Sequence, residues 1–378
     1  MRGEPVSVTD LLAELVAADS TNPDLEPGGV GEAAVAAILA ARMAAIGLEV
    51  DVWDAAPGRP NVVGRLRGTG GGRSLMFCGH TDVVGAAPEA FVPSVRGGRM
   101  HGRGTCDMKA GIAAAVAAAE RLAADRPAGD VLLAWVIDEE WQSVGAEALI
   151  GRYGADAAVL PEQTDLDVVF AHGGFAWYDV TSRGLDAAGG RPELGRDAIA
   201  LAGPLLDGIA ALDRDLAALE TEQWGRPSVH ASTIRGGQNY PSYPLECVIG
   251  VERCLMPGES VADSLAEMQR LLDRARSADA RFEGDCLTVV AREPVLLDRD
   301  EPVVQATVAA AATVLGHAPV VRSDYGWMDS GILVEAGIPC VVLGPVGDGL
   351  HTADEWVDLE SVAACATVYE ALARSFCS

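Results

Sequence analysis

Leu75-Met76-Phe77-Cys78-Gly79-His80-Thr81-Asp82 is a short apolar run that stops at a histidine and a carboxylate. An unbroken apolar run from about Ser74 to Cys78 suits a strand buried on both faces, in a sheet sandwiched between helices. The pattern recurs. Val131 to Ile137 runs into Asp138-Glu139-Glu140, Ala157 to Leu160 into Pro161-Glu162, and Ile338 to Leu343 into Gly344-Pro345 and on to His351. Further strands are expected at Leu48 to Trp53 and Asn61 to Arg67. Ala-rich segments from Gly31 to Ile46, stopping at a Gly47 cap, and from Lys109 to Ala124 have helical composition. The expected fold class is α/β, a sandwich with a mixed, mostly parallel sheet. Gly68 to Gly72 reads as a hairpin loop.

The middle of the chain has a different grammar. Strand (Phe175 to Arg183), helix (Asp197 to Leu219), strand (Ser228 to Arg235), strand (Leu245 to Cys254), helix (Val261 to Ser277) and strand (Cys286 to Arg292) describe a four-stranded α+β unit with two helices. We therefore expect this unit, residues 174–290, to be inserted into a catalytic domain made of residues 1–173 and 291–378. A chain of 378 residues exceeds what one ordinary core organises.

With 49% apolar and 22% charged residues and no long apolar stretch, the chain reads as globular. Met1-Arg2-Gly3-Glu4-Pro5 lacks the pattern of a signal peptide, so a cytoplasmic location is expected. Eight scattered cysteines, without any CxxC, suit reduced core thiols. A formal net charge of −27 argues against nucleic acid and anionic membranes as partners and leaves a small-molecule substrate.

Ligands of an open α/β sheet bind outside the carboxyl ends of its strands, where this sequence puts His80, Glu139, Glu140, Glu162 and, a little further on, His351. A further acidic candidate, Asp107, follows the glycine-rich turn Gly102-Arg103-Gly104-Thr105-Cys106, just before an Ala-rich helix. Two histidines with three carboxylates suit zinc first, then cobalt or manganese, and a carboxylate shared by two ions fills both shells economically. Asp82, two residues beyond His80, could accept the second imidazole N–H. Adjacent Glu139 and Glu140 can divide labour, one as general base and the other as ligand. His101, His172, His230 and His317 lie outside the pattern and read as structural or surface residues.

Gly79-His80-Thr81-Asp82, Gly102 to Lys109, Asp138-Glu139-Glu140, Pro161-Glu162 and Gly349-Leu350-His351-Thr352-Ala353-Asp354-Glu355 resemble the successive motifs of the acetylornithine deacetylase, succinyl-diaminopimelate desuccinylase and carboxypeptidase G family. The resemblance spans nearly the whole chain. It implies two divalent ions, one held by His80 and Glu162 and the other by Glu140 and His351. Asp107 would bridge them, Asp82 would support His80, and Glu139 would act as base and then acid. It also implies that the inserted unit is a lid that forms a homodimer, and that the reaction is hydrolysis of an amide in an N-acyl amino acid or small peptide.

The lid departs from the family pattern. Ala188 stands where relatives carry a histidine, Pro241 where many have asparagine, and Cys254 where an arginine meets the substrate carboxylate. Arg253 and Asn239 are candidates for compensating substrate contacts, together with Gly344. Acyl transfer or amide formation at the same metals, and a metal-binding scaffold without turnover, remain as alternatives. An intact Glu139 speaks against the scaffold.

Overall fold

Leu75–His80 forms a strand buried over its whole length, as its lack of alternation requires. The computed structural model describes residues 7–378, so the reading of Met1 to Pro5 lies outside the described residues. In chain order the elements begin with helices α1 (Val8–Ala17) and α2 (Ala33–Ala45) and strands β1 (Glu49–Ala56), β2 (Arg59–Leu66) and β3 (Leu75–His80). Short strands β4 (Ser94–Arg96) and β5 (Arg99–His101) precede α3 (Ala110–Ala124), β6 (Val131–Val136), α4 (Val144–Ile150), β7 (Ala157–Leu160) and β8 (Val168–His172). Then come β9 (Gly174–Arg183), α5 (Ala198–Ala217), β10 (Ser228–Gly236), β11 (Glu246–Leu255), α6 (Val261–Ala278), β12 (Glu283–Arg292) and β13 (Val295–Leu296). The rest is α7 (Pro302–Leu315), β14 (Val321–Asp324), α8 (Ser330–Glu335), β15 (Cys340–Val342), β16 (Gly347–Asp348), β17 (Trp356–Asp358) and α9 (Leu359–Phe376).

Contacts divide the chain into two units. One holds the residues up to Phe170 with Leu297–Arg322 and Met328–Ser378; the other holds Ala171–Leu296 with Ser323–Trp327. The second unit thus extends beyond the expected 174–290 at both ends and takes in a five-residue piece from much later in the chain.

The sheet of the first unit runs β1-β2-β6-β3-β7-β15-β8. Its centre is parallel, β6 with β3, β3 with β7 and β7 with β15, while β1, β2 and β8 add antiparallel pairs at the flanks. It is the mixed, mostly parallel α/β sheet that the apolar runs predict. Because β6 lies between β2 and β3, Gly68 to Gly72 is not a hairpin loop; it carries the chain past β6. The hairpin lies one connection earlier, between β1 and β2, where Ala56 pairs with Arg59. Glycine richness announces a turn but not which strands it joins. Helix α3 packs on α1 and α9, α9 on α7, α2 on β1 and β2, and α8 on β15. Gly47 ends α2 at φ +90°, and its neighbour Leu48 donates to the Met43 carbonyl at 3.0 Å.

In the second unit the order is β10-β11-β9-β12, antiparallel throughout. Alternate residues of β9 and β11, among them Tyr178, Val180, Ile249 and Val251, pack on Leu205 and Ile209 of α5 and Met268 and Leu272 of α6. Asp197 and Ser260 cap those helices through backbone N–H groups. Among the described residues, no helix is long and apolar enough to cross a membrane.

Candidate active site

Parallel strands share one carboxyl edge, and β3, β6, β7 and β15 deliver their last residues to it. His80 ends β3 level with Val136 of β6. The chain then leaves β6 through Ile137 and Asp138, the latter in the left-handed conformation at φ +73°, and turns Glu139 and Glu140 toward the crevice. Close backbone packing fixes the end of β7. A side chain at Gly111 would meet the Pro161 carbonyl at 1.8 Å, and one at Gly344 the Glu162 carbonyl at 2.0 Å, so only glycine lets α3 and the β15 loop grip Pro161-Glu162.

Five residues read from the sequence as ligands fall into two groups: His80, Asp107 and Glu162, and Asp107, Glu140 and His351. His80 Nε2 lies 3.0 Å from Asp107 Oδ1 and 3.1 Å from Glu162 Oε1. His351 Nε2 lies 3.1 Å from Asp107 Oδ2 and from Glu140 Oε2. Asp107 therefore offers one oxygen to each group. Ligands about 2.0–2.2 Å from a tetrahedral zinc ion stand roughly 3.3–3.6 Å apart, so modest widening would admit a cation to each.

The electrostatics suit that chemistry. Burial, together with the negative charge of Asp107, pushes the Glu140 carboxyl up to about 7. Burial, with Asp329 and Glu140 adding to it, lifts Glu139 well above the usual carboxylate range. The carboxylates of Asp107 and Glu140 raise His351 to about 10. Protons thus occupy positions where the donor set, three carboxylates and two imidazoles, fits divalent cations.

Asp82 meets His80 through both its main chain and its side chain. The Nδ1 of His80 lies 3.0 Å from the Asp82 backbone carbonyl and 3.5 Å from its carboxylate. That carboxylate also accepts the backbone N–H of Glu139 and Glu140, both at 3.2 Å, and the Asn22 amide at 2.8 Å. Asp82 fixes the His80 ring and, with its side chain, the Glu139-Glu140 backbone.

Of the three candidate substrate contacts, two have other work. Arg253 falls on the helix-covered face of β11, in step with Ile249 and Val251, and is buried. Its guanidinium is held by Glu267 at 2.9 Å and Glu259 at 2.5 Å, so it is not free to compensate for Cys254, which the strand's alternation turns to the other face. Gly344 uses its N–H on Thr164 Oγ1 at 3.0 Å and its carbonyl on the Leu166 N–H at 3.0 Å, a packing role around Glu162. Asn239 is exposed between β10 and β11.

Sequence reasoning assigns no role to Glu355 or Asn22. Glu355 is buried and accepts the backbone N–H groups of Gly104 (2.9 Å), Cys106 (3.0 Å) and Asp107 (3.3 Å), shaping the turn that presents Asp107. Its place four residues after His351 was the available signal. His101, read as structural or surface, lines a cleft of about 730 Å³ with Ala86, Ser94, Arg96, His351 and Thr352. His172 is buried at the end of β8, where burial depresses it to about 4.

Residues 76–375 match the peptidase family M20/M25/M40. The chain belongs to that family. The M20 assignment agrees with its relatives. The N-formyl-4-amino-5-aminomethyl-2-methylpyrimidine deformylase of Bacillus subtilis is 28% identical across 88% of this chain and 87% of its own. An acetylornithine deacetylase of Myxococcus xanthus is 30% identical across 86% of each. The fold is likewise that of M20 structures. The aminopeptidase PepT of Bacillus cereus superimposes with a TM-score of 0.80 at 22% identity, covering 98% of both chains. A dinuclear metal-binding M20 peptidase of Bacillus subtilis gives 0.72 at 16% identity, over 98% of this chain and 97% of its own.

Proposed function

We propose that this chain is a two-metal amide hydrolase of the cytoplasm that removes a small acyl group, formyl foremost, from an amine lacking a neighbouring carboxylate. The observation that carries the hydrolase reading is the pair of ligand groups sharing Asp107. His80 and Glu162 would hold one ion, Glu140 and His351 the other, with zinc first, then cobalt or manganese. Such ions supply carbonyl polarisation and acidify the attacking water. Glu139 takes the proton from that water and returns it to the leaving nitrogen, and its raised pKa suits both transfers. Asp82 holds the Glu139 main chain still while the proton moves.

The substrate class is supported by the thiol of Cys254 at the position where the family resemblance expects a carboxylate-binding arginine, and by the engagement of Arg253 with two glutamates. The Bacillus subtilis relative, by its name, removes a formyl group from an aminomethylpyrimidine. Incubating zinc-, cobalt- and manganese-loaded protein with N-formyl amines, N-acetyl and N-succinyl amino acids and dipeptides, read by mass spectrometry, tests the proposal. Formamides should react fastest. Silence across the panel would overturn the hydrolase reading, and a tenfold preference for N-acyl amino acids would overturn the substrate class.

The same reading includes a homodimer through the second unit, supported by β10, which lies at the sheet's edge with nearly all its residues exposed. Sedimentation at micromolar concentration should give twice the chain mass, and a monomer would refute it.

A further inference from the structure

Two residues with no part in the proton transfers converge behind the base. Asn22 follows α1 and Arg59 opens β2, both far in sequence from Glu139, yet they are 0% and 6% exposed. The amide nitrogen of Asn22 donates to Asp82 Oδ2 at 2.8 Å and to Asp138 Oδ1 at 3.0 Å. An amide NH₂ has two hydrogens, so each carboxylate receives its own. Arg59 Nη1 donates to the same Asp138 oxygen at 3.1 Å, while its Nε meets Glu32 Oε2 at 3.0 Å. Asp24 adds a third carboxylate to the guanidinium.

What these groups hold is the turn that carries the base. Asp138 has φ +73°, which disfavours a residue with a side chain. Its carbonyl accepts the N–H groups of Trp141, Gln142 and Ser143, and its Oδ2 accepts Gln142 N–H again at 3.3 Å. The next two N–H groups, of Glu139 and Glu140, bind the Asp82 carboxylate. Asp82 and Asp138 are like charges brought together on one nitrogen, and without the Asn22 donors they would repel each other and open the turn.

We propose that Asn22 and Arg59 are positioning residues for the hydrolysis: they lock the Asp138 turn to the Asp82 carboxylate and thereby fix the direction of Glu139 and Glu140. This rests on the hydrolase reading above. A purely structural role would need Arg59 only for its pair with Glu32. Asn22 instead directs both amide hydrogens to the two carboxylates that control the Glu139-Glu140 backbone.

The test compares Asn22→Leu, Asn22→Ser and Arg59→Lys with the unaltered chain, all loaded with zinc or cobalt. Metal content, thermal midpoint, kcat and KM on the best panel substrate, and the visible spectrum of the cobalt protein are measured. Asn22→Leu should keep two ions per chain, lose roughly 10–100-fold in kcat with KM little changed, and shift the cobalt bands as Glu140 moves. Asn22→Ser retains one donor and should recover part of the loss, and Arg59→Lys, which keeps charge without the fork, should fall between. Full kcat with an unchanged cobalt spectrum in folded Asn22→Leu overturns the proposal, as does a loss fully explained by missing metal or unfolded protein. Should Arg59→Lys fail to fold, the Asn22 pair decides alone. If the unaltered chain cleaves nothing in the panel, the hydrolase reading fails separately, and the cobalt spectrum still decides whether Asn22 sets the geometry at Glu140.

Discussion

In the first unit, β3, β6 and β7 are buried from end to end, so their faces belong to packing and only their carboxyl ends carry chemistry. In the second, β9 and β11 alternate, with one face against two helices and the other less covered. The contrast shows where each sheet tolerates charge. The first concentrates His80, Glu140 and Glu162 at one edge, where cations would offset their burial. The second resolves its buried charge internally, Arg253 being matched by Glu259 and Glu267. Ala188 and Cys254, where the family resemblance expects a histidine and an arginine, both fall in the second unit, away from the metal motifs.

Asp107→Ala strikes the comparison hardest. Each ligand group loses its shared oxygen donor, so metal content should fall from about two ions per chain toward none and kcat/KM by at least ~10³. Elemental analysis with steady-state kinetics checks both. Arg253→Met, by contrast, should leave metal content at about two. Full occupancy in Asp107→Ala would dissolve the distinction between the units.

Next in size is Glu139→Gln, which removes a base without removing a proposed ligand. We expect kcat to fall by ~10²–10⁴ with both ions retained, whereas Glu140→Gln should lose metal as well. Identical metal content in the two variants would sink the division of labour. Exchanging the carboxyl for an amide keeps the side chain's shape, so the difference reads proton transfer and not packing.

Much of this was legible because strand ends and glycine turns leave local marks. The apolar run at Leu75 gave β3 and its terminal histidine, and the strand-helix-strand-strand-helix-strand order of the middle gave the second sheet. What stayed hidden depended on distant partners. Arg59, in Gly58-Arg59-Pro60, carries no local mark of a role, because only folding brings Glu32 and Asp138 to it. Arg253 looked like a spare cation for substrate because a strand's alternation gives its face only once the register with β9 is known, Arg253 opposite Ala176. The Gly68 to Gly72 loop failed for the same reason, since β6, inserted between β2 and β3, arrives much later in the chain.

A smaller effect separates the units by pH. Asp329 is fully buried, and burial, outweighing a hydrogen bond from Ser143 that lowers it, raises its pKa from 3.8 to about 7. The folded chain therefore holds this proton more tightly than the unfolded chain. Between about pH 4 and 7 folding takes up a proton, so the contribution of Asp329 to stability falls as pH rises through that window and is flat outside it. Asp329→Asn mimics the neutral form. In the metal-free protein it should match the unaltered chain below about pH 4 and exceed it by on the order of 2–4 kcal/mol above pH 7, measured by urea unfolding at several pH values. Equal stability at pH 8 would mean that burial does not hold the Asp329 proton.

The smallest effect probes the two departures themselves. Cys254 occupies the less covered face of β11, and Ala188 is exposed where it bridges to Ser242, so both sites can accept longer side chains without invading the core. A charge-assisted contact to a carboxylate contributes about 1.5–3 kcal/mol, but an introduced arginine must also be ordered, which offsets part of that. Cys254→Arg with Ala188→His should therefore raise kcat/KM on N-acyl amino acids by roughly tenfold and leave metal content and thermal midpoint nearly unchanged. Formamide turnover should stay level or fall, because its substrates offer the new arginine nothing to bind. The ratio of the two activities, taken on one preparation, is the quantity to follow, since it cancels differences in metal loading. A ratio that does not move would show that Cys254 and Ala188 do not set substrate choice, and the second unit's departures would then be drift without consequence for the reaction.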